Sequence, residues 1–464
     1  MKILQVSNGF PPTARAGVEQ YTYQLAQSLQ GRGHEVAVIC REEDPRRPDY
    51  GVIQDRAGDV TVYRVVNSLL DVVAFDDYYR NATIEQVFLK LVDREQPDIV
   101  HFQHTIGLSV TLLGITARLG MPLVLSLHDY WYICPTVQLL NTQMQICPGA
   151  HHGADCTACL GQADRLARRL HRYPVYRRIK AAVPPRAWAR VQQAALAALS
   201  LAGGKRATGT TGQDAAGVQR RVATMQDMLS QCQYFIAPSA CVRDVYTDFG
   251  IPAGRIDVLP LGLDLGPWQN RPPARASSED VVRFVYIGTL LPHKGVDILI
   301  SALRQVAAPN MRLSIYGYGR PDDPYQEVLR RLAGRDRRIC FMGGYDNQLL
   351  PVILANEDVL VIPSRWKETY SLVAREAMLA RKPIIASEVG ALPEVVQAGQ
   401  SGVLVPPGDV GALARAMAEL ADNPGQRQAL RDGARPEVPS IAEHADQVLA
   451  RYTAVQRMQL LPKA

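Results

Sequence analysis

Short apolar runs alternate with amphipathic stretches twice over along this chain. That alternation constrains the fold more than any other feature, because it is the signature of parallel sheets built from βαβ units. The first half offers Ile3 to Ser7, Glu35 to Cys40, Val60 to Val65, Asp98 to Gln103, Pro122 to His128, Tyr234 to Ser239 and Ile256 to Pro260 as strands. The second half restarts with Arg283 to Gly288, then Met311 to Gly317, Arg338 to Gly343, Asp358 to Ser364, Pro383 to Ser387 and Gly402 to Pro406. Gly17 to Gln30 reads as an amphipathic helix with Leu25, Ala26 and Leu29 on its apolar face. Between the halves, Gly262 to Asp280 is rich in Pro, Gly, Arg and Ser and reads as a linker. The fold class expected is α/β, with two doubly wound Rossmann-like domains facing each other across a cleft at the carboxyl ends of the strands.

A chain of 464 residues is too long for one core. The composition, 47% hydrophobic and 21% charged, is that of an ordinary globular protein. MKILQVSNGF reads as a first strand and not a signal peptide, and the longest small-and-apolar stretch, near Ala194 to Leu201, is short of the roughly 20 residues that span a membrane. A cytoplasmic protein is expected. In that setting eight cysteines argue against a disulfide framework. Cys40, Cys232, Cys241 and Cys340 lie in or beside apolar runs and read as buried small hydrophobes. Cys134, Cys147, Cys156 and Cys159 fall instead within one loop-like segment, 134–159, with a C-x-x-C at its end. Their spacing suits a structural zinc site, with His151 or His152 as substitute ligands; four reduced thiols in a loop is the alternative.

Residues 163–221 fit neither alternation and read as a partly helical insertion, with Gly203 to Gly212 as a small-residue break. Within it, Arg165 to Arg190 carries nine basic residues and no acidic one, interleaved with Leu166, Leu170, Tyr173, Tyr176 and Trp188. A solvated face is the plain reading of such a run. The aromatic and apolar interleaving suits the headgroup layer of a membrane, so contact with the inner face of the cell membrane through 165–190 is expected. No base-reading module accompanies the charge, and nucleic acid is not an expected partner.

The run DVLVIPS, Asp358 to Ser364, leads into KETYSLVARE, Lys367 to Glu376. A buried strand that ends at Pro363 and Ser364, followed by a helix opening at Ser371, Leu372 and Val373, aims free N–H groups and a positive helix end above the sheet. That is a ready site for phosphate. Glu368 and Glu376 stand eight positions apart and are expected to meet at a ligand, Glu368 at its far end and Glu376 at a ribose hydroxyl.

This pattern resembles the E-x7-E motif of the retaining nucleotide-sugar glycosyltransferases of family 4, in the two-Rossmann-domain GT-B class. GGYDNQLLPVILANEDVLVIPS before it and EAMLARKPIIASEVGALPEVV after it follow that family's order of elements, and the resemblance runs from the first strand to about Pro407. It implies an acceptor-side domain at 1–262, a linker at 263–280, a nucleotide-sugar domain at 281–435 and a last helix within 436–464, Ile441 to Met458, that crosses back to the first domain.

The resemblance also implies roles for individual residues. Gly288, Lys294 and Gly295 in YIGTLLPHKGVDILI match a G-R-x(4-5)-K-G element whose Arg and Lys bind diphosphate. Thr289 stands at the Arg position, which leaves Lys294 as the clear cation. Gly17 opens a helix where the family's glycines approach diphosphate and acceptor. His128 in LHDYW matches a histidine near the reacting carbon of the sugar. His101 and His104 at the neighbouring strand end read as cleft lining or acceptor contacts. Gly317, Gly343 and Tyr345 lie along the nucleotide, and Thr369, Tyr370, Ser371 and Leu372 form the phosphate turn with Glu376 beyond it. Arg381 occupies a surface turn where the family has Gly.

The implied chemistry is transfer of a hexose from a UDP- or GDP-sugar to a glycan or lipid-linked acceptor in cell-surface polysaccharide or glycolipid synthesis, with His128, Lys294 and Glu368 as catalytic residues. Front-face attack, in which the leaving phosphate takes the acceptor proton, needs no side-chain base. With no D-x-D pattern and no hydrolase-like carboxylate dyad, no catalytic metal is expected. A non-catalytic nucleotide-sugar scaffold and an epimerase on the same fold are the competing classes; a phosphorylase would need a pyridoxal phosphate lysine, for which no motif is present.

Overall fold

In the computed structural model the described residues are 1–149, 156–160, 212–269, 281–319, 324–435 and 438–460, apart from 15, 45, 70 and 73, together with 182–184, 187 and 271–273. The basic run 165–190 lies outside them except for 182–184 and 187.

Two sheets organise the chain. The first contains β1 (Lys2–Ser7), β2 (Glu35–Glu42), β3 (Val52–Ala57), β4 (Val60–Val66), β5 (Ile99–Phe102), β6 (Leu123–Ser126), β7 (Tyr234–Ala237) and β8 (Ile256–Val258), in the order β3-β4-β2-β1-β5-β6-β7-β8. The second contains β9 (Val282–Ile287), β10 (Met311–Tyr316), β11 (Ile339–Gly343), β12 (Val359–Ile362), β13 (Ile384–Ser387) and β14 (Gly402–Val405), in the order β11-β10-β9-β12-β13-β14. All pairings are parallel except β3 with β4. Strand order reverses beside β1, between β2 and β5, and beside β9, between β10 and β12. At such a switch point the loops leaving the strands diverge to opposite faces and open a crevice, so the loops after β1, β9 and β12 frame the site.

Among the described residues, helices of eight or more residues are α1 (Gly17–Gln30), α2 (Ala82–Glu95), α3 (Thr111–Arg118), α4 (Gly212–Ser230), α5 (Ala240–Asp248), α6 (Val296–Gln305), α7 (Pro324–Ala333), α8 (Leu372–Leu379), α9 (Val410–Asp422), α10 (Pro424–Gly433) and α11 (Ile441–Leu460). The helix expected within 163–221 is met at its end by α4, which begins at Gly212 and runs on past that segment, where its Met225, Met228 and Leu229 belong to the core of the first sheet. β3 is an addition to the strands read from sequence. Within Gly262 to Asp280, read as the linker, a helical turn spans Gly266–Gln269 and Leu263 pairs with Ser440.

The two halves are tied together repeatedly. Ala445, Val448, Tyr452 and Val455 of α11 join Leu25, Leu29, Val38 and Ile236 in one buried cluster, so the last helix packs on the first sheet. Tyr452 Oη lies 2.6 Å from His101 Nδ1, and Tyr21 Oη lies 2.7 Å from His444 Nε2. Between the sheets, Tyr370 Oη donates to the carbonyl of Leu261 at 2.7 Å. The Glu394 carboxylate accepts from the N–H groups of Ala240 and Cys241 at 3.0 and 2.7 Å, a charged cap on the positive end of α5.

His101, His128 and His444 are held neutral. Burial pushes the first two down to about 3 and the third to about 4, against 6.5 when exposed. A group depressed on folding stabilises the fold above its unfolded value, and this stability is lost as pH falls towards the folded one. Each such histidine should therefore remove about 1.4 kcal/mol per pH unit below about 6.5. Urea midpoints should fall steeply between about pH 6.5 and 4.5, and His101→Gln should flatten that slope. Equal midpoints across that range would refute the assignment.

Candidate active site

Glu368 anchors the carboxyl edge of the second sheet. It is 5% exposed, and its Oε1 accepts from Lys294 Nζ at 2.8 Å and from Ser364 Oγ at 2.5 Å. Burial pushes its pKa up, but the Lys294 ammonium and the hydrogen bonds from Lys294 and Ser364 outweigh that and hold it below the usual glutamate range. Lys294 ends the 3₁₀ turn Pro292–Lys294 after β9, and its ammonium lies 4.9 Å from the centre of the Trp366 ring.

The loops carrying this pair approach closely because Gly295 has φ 72°. A methyl group there would fall 1.9 Å from the carbonyl oxygen of Pro363. Arg365 then stitches the same loops: its N–H donates to His293 O at 2.9 Å, and its guanidinium to Asp297 at 3.0 and 2.6 Å. A third loop closes over them. Ala391 N donates to Glu368 O at 2.7 Å, and a methyl group on Gly390 would meet Glu368 N at 2.3 Å.

Beyond Glu368 the chain turns at Ser371, left-handed at φ 58°, into α8, whose N-cap makes no side-chain cap bond. Across the cleft α1 also starts without a side-chain cap, at Ala16. Gly17 at its first position is exposed, and a methyl group on it would lie 3.9 Å from Leu372 at the start of α8, so the two helix ends face each other. Glu376, on α8, lines the cleft with Gln20, Tyr21, Gln24 and Trp268. Its carboxylate has no hydrogen-bond or ion-pair partner among the described residues, and burial pushes its pKa to about 7.

The other expected donor-side residues occupy the neighbouring loops. Gly317 N donates to Gly343 O at 2.7 Å, and a methyl group on Gly317 would lie 1.8 Å from Gly288 O. Thr289 is exposed, with its carbonyl accepting from Tyr286 Oη at 2.7 Å. Tyr345 packs edge-on against Tyr316. Thr369 is half-buried in the turn, whereas the Tyr370 ring leaves it for Leu261 and for the Arg375 guanidinium 3.5 Å away. Arg381 sits in a left-handed turn after α8, exposed.

On the first domain His128 is buried edge-on against Tyr21, 5.1 Å between ring centres. The amide of Gln103 orders the protons: its nitrogen donates to Gln5 Oε1 at 3.3 Å and to His101 Nδ1 at 3.2 Å, which leaves its oxygen to accept from His128 Nε2 at 2.8 Å. The reading of His101 and His104 as cleft lining does not survive. His101 is fully buried between Tyr452 and Ser126. His104, 2% exposed, lies 3.1 Å from the Asp129 carboxylate, which also accepts from Trp131 N. Asp129 thus belongs to His104, and two carboxylate-free neighbours, Gln103 and Tyr21, hold His128. Trp366, Gly390, Tyr21 and Trp268 complete the site and are not singled out by the sequence, in which Ser364 reads only as a strand end; the Gly390 backbone conformation has no local signal.

Among the described residues no group of three or more His, Cys, Asp and Glu side chains is arranged as a metal site. Cys40 and Cys232 are buried as expected of small hydrophobes, but Cys241 is half-buried and Cys340 exposed on the edge strand β11.

A family model described as "Glycosyl transferases group 1" matches residues 282–423, and one described as "Glycosyltransferase Family 4" matches residues 15–187. The MMP alpha-(1->4)-mannosyltransferase of Mycolicibacterium hassiacum is 33% identical over 220 residues, 46% of this chain and 52% of that protein. The glycogen synthase of Mycobacterium tuberculosis is 26% identical over 444 residues, 95% of this chain and 91% of that protein. Among solved structures, sucrose-phosphate synthase from Thermosynechococcus elongatus superposes with TM-score 0.65 at 20% identity, covering 98% of this chain and 99% of that one. Anabaena Alr3699/HepE in complex with UDP and glucose does so with TM-score 0.63 at 16% identity, covering 98% and 100%. The chain has the two Rossmann-like domains of the GT-B fold, and each of the two glycosyltransferase family models matches a stretch of one of them. It spans about half the length of the mannosyltransferase and nearly all of the glycogen synthase.

In this GT-B chain, removing one partner of the buried pair strands the other. Lys294→Ala should destabilise the protein by about 3 kcal/mol, and adding Glu368→Gln should restore about half of that loss. Denaturation of the single and double variants measures both, and additive losses would show that the pair is not coupled.

Proposed function

We propose that this chain is a retaining hexosyltransferase that uses a UDP- or GDP-sugar. The observation that carries the reading is the Lys294–Glu368 pair set beside the uncapped start of α8, with the start of α1 opposite. A diphosphate seated there meets one ammonium and the positive end of α8, the groups that best stabilise a departing anion. Glu376, without a partner of its own, accepts from ribose hydroxyls. Glu368, kept ionised by Lys294, accepts from sugar hydroxyls, and neutral His128 stands on the acceptor side. The bond from the anomeric carbon to the diphosphate breaks as the acceptor oxygen bonds to the same face, and the acceptor proton passes to the departing phosphate oxygen. The scheme assigns no step to a metal.

A panel of nucleotide sugars should single out one donor that raises the melting temperature by mass action. With that donor, Lys294→Ala should lower turnover about a hundred- to a thousandfold. Glu376→Ala should raise the donor KM more than it changes kcat. Because the Glu376 carboxylate ionises near 7, donor KM should fall as pH rises through that value, and Glu376→Gln should flatten the profile. Wild-type turnover in Lys294→Ala would overturn the reading; sugar release without acceptor would point to an epimerase.

The acceptor in this reading is a glycan or a lipid-linked acceptor of cell-surface polysaccharide or glycolipid synthesis. No helix among the described residues is long and apolar enough to cross a membrane. The basic run 165–190 supports surface attachment on its sequence alone, and salt-sensitive cosedimentation with anionic vesicles should follow. Absence of binding at low salt would favour a free glycan.

A further inference from the structure

The chain passes from the first domain to the second at 261–263 and returns at 439–441, and the two passages are bonded to each other. Leu263 N donates to Pro439 O at 3.0 Å, and Ile441 N donates to Leu263 O at 2.8 Å. They touch without slack. A methyl group on Gly262 would fall 2.6 Å from His444 Cβ and 2.7 Å from Ile441 Cα. In so dense a contact a shift of one passage displaces the other.

Each half of the candidate site holds this crossing by one tyrosine. From the second domain, Tyr370, in the turn before α8, donates its hydroxyl to Leu261 O at 2.7 Å. From the first, Tyr21 of α1 has its hydroxyl 2.7 Å from Nε2 of His444, one turn into α11. Tyr21 and His444 are both buried, so water does not compete for that bond. The Tyr21 ring stands edge-on to His444 and to His128, with 5.4 and 5.1 Å between ring centres. It therefore joins the crossing on one side to His128 on the other. Gly262 and Leu263 also line the cleft cavity, together with Tyr21, Leu372 and Glu376. A ligand seated there meets the crossing itself as well as both domains.

We propose that Tyr21 and His444 are positioning residues that fix His128 relative to the crossing, so that a nucleotide diphosphate drawn onto the turn before α8 also sets His128 for the sugar. The inference rests on the donor site proposed above. Tyr370 carries the displacement of the turn to Leu261, and Tyr21 carries that of His444 to His128. Phenylalanine at either tyrosine would keep the packing of the ring and remove only the tie. A ring freed in this way can drift, and a small misplacement at the reacting centre lowers rate more than binding.

The test uses the full chain with 15N-labelled histidines, His128 and His444 being assigned through His128→Gln and His444→Gln, and UDP and GDP as probes. The nucleotide that binds in calorimetry should move the imidazole signals of both residues. In Tyr21→Phe and in Tyr370→Phe it should bind within about threefold of the wild-type Kd, yet move the His128 signal by less than about half as much. With the donor found by the panel, Tyr21→Phe should lower kcat about tenfold and leave donor KM within about threefold. His444→Leu should match that loss, whereas His444→Gln, whose amide can still bond the Tyr21 hydroxyl, should keep most of the rate. Wild-type kcat in Tyr21→Phe, or a full His128 shift in both phenylalanine variants, would overturn the coupling and leave the donor site standing. A raised donor KM with kcat unchanged would make Tyr21 a wall of the cavity alone and also overturn it. If neither UDP nor GDP binds, the donor site falls and the coupling with it. Should Tyr21→Phe fail to fold, Tyr370→Phe decides by the same signal.

Discussion

A carboxylate buried at the edge of a parallel sheet has to be neutralised or paid for elsewhere, and the geometry of the second domain follows from how Glu368 is treated. Lys294 reaches it from the loop after β9 and Ser364 from the end of β12, so two loops far apart in sequence are held at hydrogen-bond distance. Arg365 and Asp297 repeat the tie on the outside of the same loops. The start of α8 is aimed by this arrangement, because the turn at Ser371 begins three residues after the anchored glutamate.

The first domain depends on a different kind of interaction. His128 is fixed by an uncharged relay through Gln103 to His101, and that relay ends on Tyr452 from the last helix. A residue at the cleft is thereby coupled through the sheet to a helix packed on its face. Tyr370 and Glu394 add polar contacts from the second domain to Leu261 and α5. The relative placement of the halves rests on a few directed bonds together with the apolar packing of α11.

Much of this was legible in the sequence, for physical reasons. Strands such as β12 and β13 are buried on both faces and read as unbroken apolar runs. α1 shows its helical period plainly, and the strand-turn-helix around Glu368 has its punctuation in the right places. The misreadings have causes too. β3, VIQDRA, is a largely exposed antiparallel edge strand, so it carries little apolar signal. Cys340 sits in the apolar run ICFMG, but an edge position leaves Phe341 and Met342 exposed along with it. His101 could not be placed because its partner Tyr452 lies 351 residues away. Arg221 has no local sequence signal for burial, because Tyr79 and Trp131, which close around it, are far away along the chain.

The glycines of the second domain carry a consequence for how such a protein can diversify. At Gly295, Gly317 and Gly390 the next loop's backbone lies where a side chain would begin. No one of these loops can be lengthened or rebuilt without displacing its neighbour, so compensating changes would have to arrive together. On the facing wall, a methyl group added at Gly17 would lie 3.9 Å from the Leu372 side chain, at ordinary contact distance. Inherited variation should therefore accumulate on one wall of the cleft while the other stays frozen, letting a lineage acquire new partners on the first wall without reinventing the second.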